Sequence, residues 1–385
     1  MMAQEGPVTG AWTRDAARRI AIGDGHVTRI FGEAEIARMP GLDLWDPAPV
    51  QDPSGELVVI DGAELWVALS APASGDPGLR HHRSRLRLLE RAPGGTRDCG
   101  ELFPDGASLG SSEWAACAIR DPASSRLRVF YTAAGRRGDA APSFAQRIAE
   151  SEGTLVTGPG GPRVVGWAPH REAVVADGRQ YVRVTADAGE PGFIKAFRDP
   201  AWLRDPADGA EYLIFCASSA LAATEFNGAV GIARADGAGG WELLPPLLQA
   251  DGVNNELERP HIVIRDGRYY LLFSTQARTF DPSVAGPTGL YGFVGPTVRG
   301  PWEPLNGSGL IFGNPPEEPT QAYSWRVLND LRTVGFADSY ALRGRTPEEV
   351  SADGPEAVRR HFGGTFSPTL AIELAGAAGR LAERA

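Results

Sequence analysis

Apolar residues in this chain come in short runs, alternating with polar ones or filling a whole segment before a turn interrupts them. That rhythm belongs to strands rather than helices. It is clearest over residues 127–131, 211–216 and 269–274, where aromatic and β-branched side chains dominate between turn signals. Helical signals are few. Thr13 is placed to cap a short helix over 15–20, and Pro347-Glu348-Glu349 to open another near the C-terminus.

The strand-turn-strand units repeat. WDPAPVQDPSGELVV starts at Trp45, EWAACAIRDPASSRLRVFYTA at Glu113, FRDPAWLRDPADGAEYLIFCA at Phe197 and LERPHIVIRDGRYYLLFST at Leu257. Each opens on or beside an acidic residue, continues through a partly apolar stretch, turns and runs into a second strand. A weaker fifth copy, SWRVLNDLRTVGFADSYAL from Ser324, lacks the leading acid. Hairpins repeated at long, irregular intervals predict blades of a propeller. The expected fold is all-β: a five-bladed β-propeller forming one catalytic domain over 1–385, with a short lead over 1–10 and a tail over 376–385. The plainer reading is that Asp-Pro turns punctuate any β protein.

Composition adds constraints. Gly 48 and Pro 31 suit a fold with many turns, and 42% apolar residues suit a substantial core. A formal charge of -10 argues against nucleic acid, since phosphate binding needs a basic surface. Cys99, Cys117 and Cys216 form no CxxC pair, so structural zinc is not expected. They read as packing residues, with one disulfide left open. The N-terminus shows no secretory signal and no apolar run is long enough for a membrane span, so location stays open.

Candidate chemistry follows from the repeats. In a propeller the innermost strand of each blade lines the channel, and side chains at its mouth converge. With the repeats in register, Asp46, Glu113, Asp199 and Glu258 gather there. Like charges in a funnel repel unless cations offset them. Arg198 and Arg259 lie beside two of the acids, and Arg14 and Arg147 are further candidates. Carboxylates with tryptophan partners, Trp45 and Trp114, are what sugar chemistry uses: indole faces pack on the ring while paired acids share acid, base and nucleophile roles. Taken singly, each acid also reads as a turn former or a solvated strand end. Four at matching positions are harder to explain that way.

At these residues the chain resembles glycoside hydrolase family 68, the levansucrases, inulosucrases and bacterial β-fructofuranosidases. The likeness runs from Trp12-Thr13-Arg14 to Ser367-Pro368-Thr369. Leu44-Trp45-Asp46 is similar to the family's nucleophile motif, Phe197-Arg198-Asp199-Pro200 to its Arg-Asp-Pro motif, and Asn255-Glu256-Leu257-Glu258-Arg259 to its acid/base motif. Gly289-Leu290-Tyr291-Gly292-Phe293 and Gln321-Ala322-Tyr323-Ser324-Trp325 also match, in the family's order.

The resemblance implies fructosyl transfer from sucrose to water or small sugar acceptors, with retention and no cofactor. Asp46 would be the nucleophile, Glu258 the acid/base and Asp199 the transition-state stabiliser. Arg198, Glu256 and Tyr323 would bind sugar or orient the acid/base, and Trp45 and Trp114 would wall the fructosyl pocket. Glu258 should then be protonated and Asp46 ionised, their pKa values pushed apart by crowding. The family is largely extracellular.

Departures bear on specificity. Pro47 and Ala48 follow the nucleophile motif where a hydroxyl residue and a second Trp are usual, Ala115 replaces a common Ser, and Cys216 a common Glu. Gln276, eighteen residues after Glu258, stands where Arg or His is common. Thinner contacts predict hydrolysis and short products over polymer. No convincing calcium ligand set is visible. Two other readings stand beside this one: an inverting propeller glycosidase on arabinan or xylan, and a non-catalytic sugar-binding propeller.

Overall fold

A computed structural model describes residues 10–139, 143–184 and 194–382. Its strands form antiparallel meanders in chain order. Leu42–Gln51 pairs with Ala63–Pro72, which pairs with Arg85–Ala92 and then Gly95–Glu101. Ser112–Arg120, Arg126–Ala134 and Gln146–Val156 form the next group. Phe197–Arg204, Glu211–Ser218, Gly228–Ala235 and Trp241–Gln249 follow. Then come Glu258–Arg265, Arg268–Thr275 and Gly289–Gly295. Last, Ala322–Val327 pairs with Arg332–Ser339, which Phe362–Phe366 and Leu370–Ala375 extend.

The first strand of each meander packs against the first strand of the next, and the fifth returns to the first. The fold is therefore of propeller type. These inner strands are apolar and largely buried along their length, as the second, Ser112–Arg120, shows with eight of nine residues inside. Interleaved cores fill the spaces between neighbouring sheets, such as Trp45, Val67, Leu69, Ala116 and Tyr131 between the first two. Burying strands on both faces leaves polar chemistry only where the alternation breaks.

It breaks at one level of every inner strand. Pairing slips between Trp45 and Ala48, Trp114 and Ala116, Arg198 and Ala201, Glu258 and His261, and Tyr323 and Arg326. A bulge re-aims side chains and bends its strand. Room for the fifth bulge comes from Gly335, where a Cβ would lie 2.5 Å from the Tyr323 carbonyl oxygen.

Local signals fared unevenly. The capped N-terminal helix is Arg14–Ala17, shorter than 15–20, with Thr13 Oγ1 accepting from the Ala16 N–H at 3.1 Å. Pro347 opens the helix Pro347–Ala352 behind a Thr346/Glu349 capping box. Of the lead over 1–10 only Gly10 is described, paired in parallel with Leu248. The stretch read as a tail carries an edge strand, Ala378–Leu381, against Leu370–Ala375. All three cysteines are free. Among the described residues no helix is long and apolar enough to cross a membrane.

Candidate active site

The bulges define the site. Their first unpaired residues are Asp46, Ala115, Asp199, Arg259 and Ser324, preceded by Trp45, Trp114, Arg198, Glu258 and Tyr323. Four of the five sit in the left-handed region: Asp46 at φ 49°, Asp199 at 59°, Arg259 at 54° and Ser324 at 58°. Aspartate tolerates that conformation better than most residues. Arginine and serine gain no such relief, and strain of about 1–3 kcal/mol per residue collects at functional sites when the surroundings enforce it.

Because the bulge suspends alternation, consecutive residues reach one place. Arg198 Nη2 donates to Glu258 Oε1 at 2.9 Å and lies 3.4 Å from Glu256 Oε2. The Tyr323 hydroxyl donates to Glu258 Oε2. Gln276 Nε2 reaches the same oxygen at 3.4 Å, steered by Arg278, whose Nε donates to Gln276 Oε1 at 2.9 Å. Asp199 Oδ2 accepts from the Arg259 N–H at 3.2 Å, and its own N–H donates to Thr132 Oγ1 at 2.9 Å. Asp46 is half-buried beside Arg259, Ser324, Glu258 and Arg80. Asp46, Asp199, Glu258, Arg198, Glu256, Gln276 and Tyr323 are thus brought together.

Electrostatics reverse one expectation. Burial pushes the Asp46 carboxyl up, with Arg259 pulling the other way. Burial also raises Asp199 to about 6, against Arg198 and with Glu258 adding to the rise. Burial and the neighbouring Glu258 charge lift Glu256 to about 7. Glu258 moves down instead: burial opposes its charge, but Arg198 and hydrogen bonds from Tyr323, Arg198 and Gln276 outweigh it. These neighbours favour a proton on Glu256 over Glu258, whereas the expectation was a protonated Glu258 beside an ionised Asp46.

Aromatic side chains pack beside these groups. Trp45 and Trp114 flank His81, with ring centres 5.5 and 6.0 Å from it. Trp114 Nε1 donates to the His81 carbonyl at 3.0 Å, whereas Trp45 Nε1 is buried without a partner. Burial and nearby arginines hold His81 well below its usual value, so the ring is neutral at pH 7. Arg80 lies over Trp45 at 5.3 Å and over Phe362 at 4.7 Å.

Three expectations fail. Glu113 does not join the acids: its Oε2 accepts from the Leu86 N–H at 2.7 Å, and burial lifts it to about 7. The corresponding bulge position on its strand is Ala115. Arg14 instead bonds the Gly252 carbonyl and Asp281, and Arg147 the Leu109 and Gly135 carbonyls and Glu172. Glu258 is one residue out of step with Asp46 and Asp199, because Arg259 occupies its bulge. Ser324, Arg80, Arg278 and Asp338 were not singled out. Asp338 feels the charges of Arg80, Arg278 and Asp46.

Among the described residues, no three His, Cys, Asp or Glu side chains come together as metal ligands. The arrangement suits a neutral polyhydroxylated ligand: two buried carboxylates, a third held by three donors, a free indole N–H and guanidinium forks between them.

Comparison with known proteins agrees with this chemistry. The model of glycoside hydrolase family 68, described as levansucrase/invertase, matches residues 1–227 and 221–385. A levansucrase of Pseudomonas syringae pv. actinidiae is 30% identical over 95% of this chain and 89% of its own. The solved inulosucrase from Halalkalicoccus jeotgali bound to kestose is 38% identical, with TM-score 0.89, covering 97% of this chain and 95% of that one. The Gluconacetobacter diazotrophicus levansucrase shares the fold, with TM-score 0.81 at 23% identity, over 97% of this chain and 90% of that one.

Proposed function

The chain belongs to glycoside hydrolase family 68, the levansucrase/invertase family, and is a sucrose-cleaving fructosyl-transferring enzyme; we propose that it works by double displacement with retention. The proposal includes a single domain over 1–385 and a five-bladed propeller, supported by the ring of five inner strands. Family membership displaces the arabinan or xylan and non-catalytic readings.

Asp46 attacks the fructosyl anomeric carbon, and glucose leaves. Its short side chain and left-handed backbone place it between Arg259 and Ser324. Glu258 gives the departing oxygen its proton and later takes one from water or the acceptor. Asp199, tied down by the Arg259 N–H, accepts from fructosyl hydroxyls and stabilises positive charge developing on the sugar. Trp45 and Trp114 form the apolar wall.

The observation that carries this reading is the convergence of Arg198, Tyr323 and Gln276 on Glu258. It also accounts for the reversed proton order. Glu256 and Glu258 share Arg198 and titrate as a pair. We assign the catalytic proton to that pair: the glucosyl half of bound sucrose removes water from Glu258 and shifts the proton onto it from Glu256. Incubation with sucrose tests the activity, since hydrolysis and transfer both release glucose. Glucose appearing with Glu256→Gln at an unchanged pH profile would overturn the shared-proton assignment.

Acceptor handling follows from Gln276. An amide offers one donor group and one acceptor without charge, weaker than a guanidinium fork. With Ala48 and Ala115 thinning neighbouring contacts, free fructose and short oligosaccharides are the proposed products.

A further inference from the structure

The end of the inner strands opposite the acids also opens into a cleft, of about 430 Å3. It is formed where the first, third, fourth and fifth inner strands end, at Gln51, Trp202, Ile264 and Val327 among others. No step proposed above uses it.

Its wall contains a cation without an anion. Arg326 has no carboxylate within 4.0 Å among the described residues, and its one bond to protein is Nη2 donating to Gln51 Oε1 at 3.3 Å. Its Nε is buried without a partner. Gln51 is held in turn, Nε2 donating to the Trp202 carbonyl at 3.2 Å. The other charged groups of the wall are committed. Asp205 accepts from the Tyr269 hydroxyl at 2.5 Å, and Arg204 pairs with Glu211 at 2.8 Å. Arg326 is half-buried, and its guanidinium lines the cleft with donors that no protein group uses, a position where an anion gains a charge-assisted bond. Burial and the like charge of Arg259 push Arg326 down to about 10, the direction an unmatched cation takes.

One side of the cleft is apolar, with Ile262, Val263, Val327 and Leu328 lining it beside Pro49. A bare inorganic anion would leave those walls in water, whereas a carboxylate on a short hydrocarbon covers both features. The guanidinium fork matches a carboxylate in two-point geometry. We propose that this mouth of the ring binds a small organic monocarboxylate, its oxygens on Arg326 and its hydrocarbon against Ile262, Val327 and Leu328.

Calorimetry on the full chain with butyrate, its neutral isostere butyramide, and chloride tests the assignment without any activity readout. Saturable butyrate binding is expected, with butyramide silent and chloride a poor competitor. Arg326→Gln removes the fork and should weaken butyrate about tenfold or more. Gln51→Glu, isosteric, supplies an internal carboxylate where the amide oxygen now lies, at the cost of the bond to the Trp202 carbonyl; it should abolish butyrate binding. That second variant keeps the test decisive if Arg326→Gln fails to fold. Absence of saturation, equal binding of butyramide, chloride competing as well as the organic acid, or butyrate binding surviving in Gln51→Glu would each overturn the proposal.

Discussion

Arg198 Nη2 stands 2.9 Å from Glu258 Oε1 and only slightly farther, 3.4 Å, from Glu256 Oε2. One guanidinium thus serves two carboxylates, and whichever is protonated releases it to the other. Burial alone would raise both acids. Arg198 breaks the symmetry in favour of a charged Glu258, which Tyr323 and Gln276 reinforce. In the proposed mechanism the pair acts as a proton reservoir for the leaving group.

The pH dependence follows. The nucleophile must be ionised, and burial raises both Asp46 and its neighbour Asp199, the latter to about 6. Activity is therefore lost as pH falls through that region. It is lost again as pH rises past about 7, where the Glu256/Glu258 pair gives up its proton. A bell-shaped profile on the acidic side of neutrality is expected from initial rates of glucose release. Glu256→Gln removes the negative neighbour that sustains a proton on Glu258, so the alkaline limb moves to lower pH. A rate still climbing in alkaline buffer would contradict the assignment.

Tyr323→Phe removes a hydroxyl donor from Glu258 while leaving the ring packed. Glu258 then loses one of the bonds favouring its charged form, so its pKa rises and the alkaline limb shifts up. Turnover at the optimum is expected to fall about tenfold, in line with an acid/base group losing its orientation. An unchanged profile measured on sucrose would remove Tyr323 from the proton network.

Glu113 gives a stability test separate from catalysis. Its carboxyl is raised from 4.5 to about 7 by burial, so the folded protein binds that proton more tightly than the unfolded chain. The resulting stability is fully present below about pH 4.5 and is lost as pH rises through 7. The shift corresponds to about 3 kcal/mol at most. Glu113→Gln keeps an acceptor for the Leu86 N–H without a charge. Its melting temperature relative to the parent should rise steadily between pH 4.5 and 8, and a constant difference would count against this account.

Gln276→Arg tests product length. A guanidinium in place of the amide should hold acceptor sugars longer and move products toward longer chains, read as the share of fructosyl units in polymer per glucose released. Size-exclusion profiles from concentrated sucrose check it. A parent enzyme already making mainly high-molecular-weight fructan would show the short-product reading to be wrong.

Much of this was legible in the chain. The strand rhythm over 127–131, 211–216 and 269–274 lies within observed strands, because buried β-branched and aromatic side chains leave few alternatives. The repeats exposed the inner strands, but aligning them on acidic residues misjudged the register. A better marker was present. Trp45-Asp46-Pro47, Arg198-Asp199-Pro200 and Glu258-Arg259-Pro260 share a proline directly after the bulge residue, where no ladder hydrogen bond is asked of it. Read that way, Glu258 falls one place before Asp46 and Asp199, and Glu113 drops out. Arg80 and Asp338 carry no such marker. They reach the site from the 3-10 helix Pro77–Arg83 and a second strand, and only tertiary packing brings them near Asp46.

The central claim is a covalent fructosyl-enzyme on Asp46, and acid-quenched mass spectrometry of enzyme mixed briefly with sucrose addresses it directly. The peptide carrying Asp46 is expected to gain the mass of one anhydrofructose unit, and Asp46→Ala to lose both that adduct and glucose release, by about 10³-fold or more. Release of glucose by Asp46→Ala at near-normal rate, or an adduct on any other residue, would contradict the account.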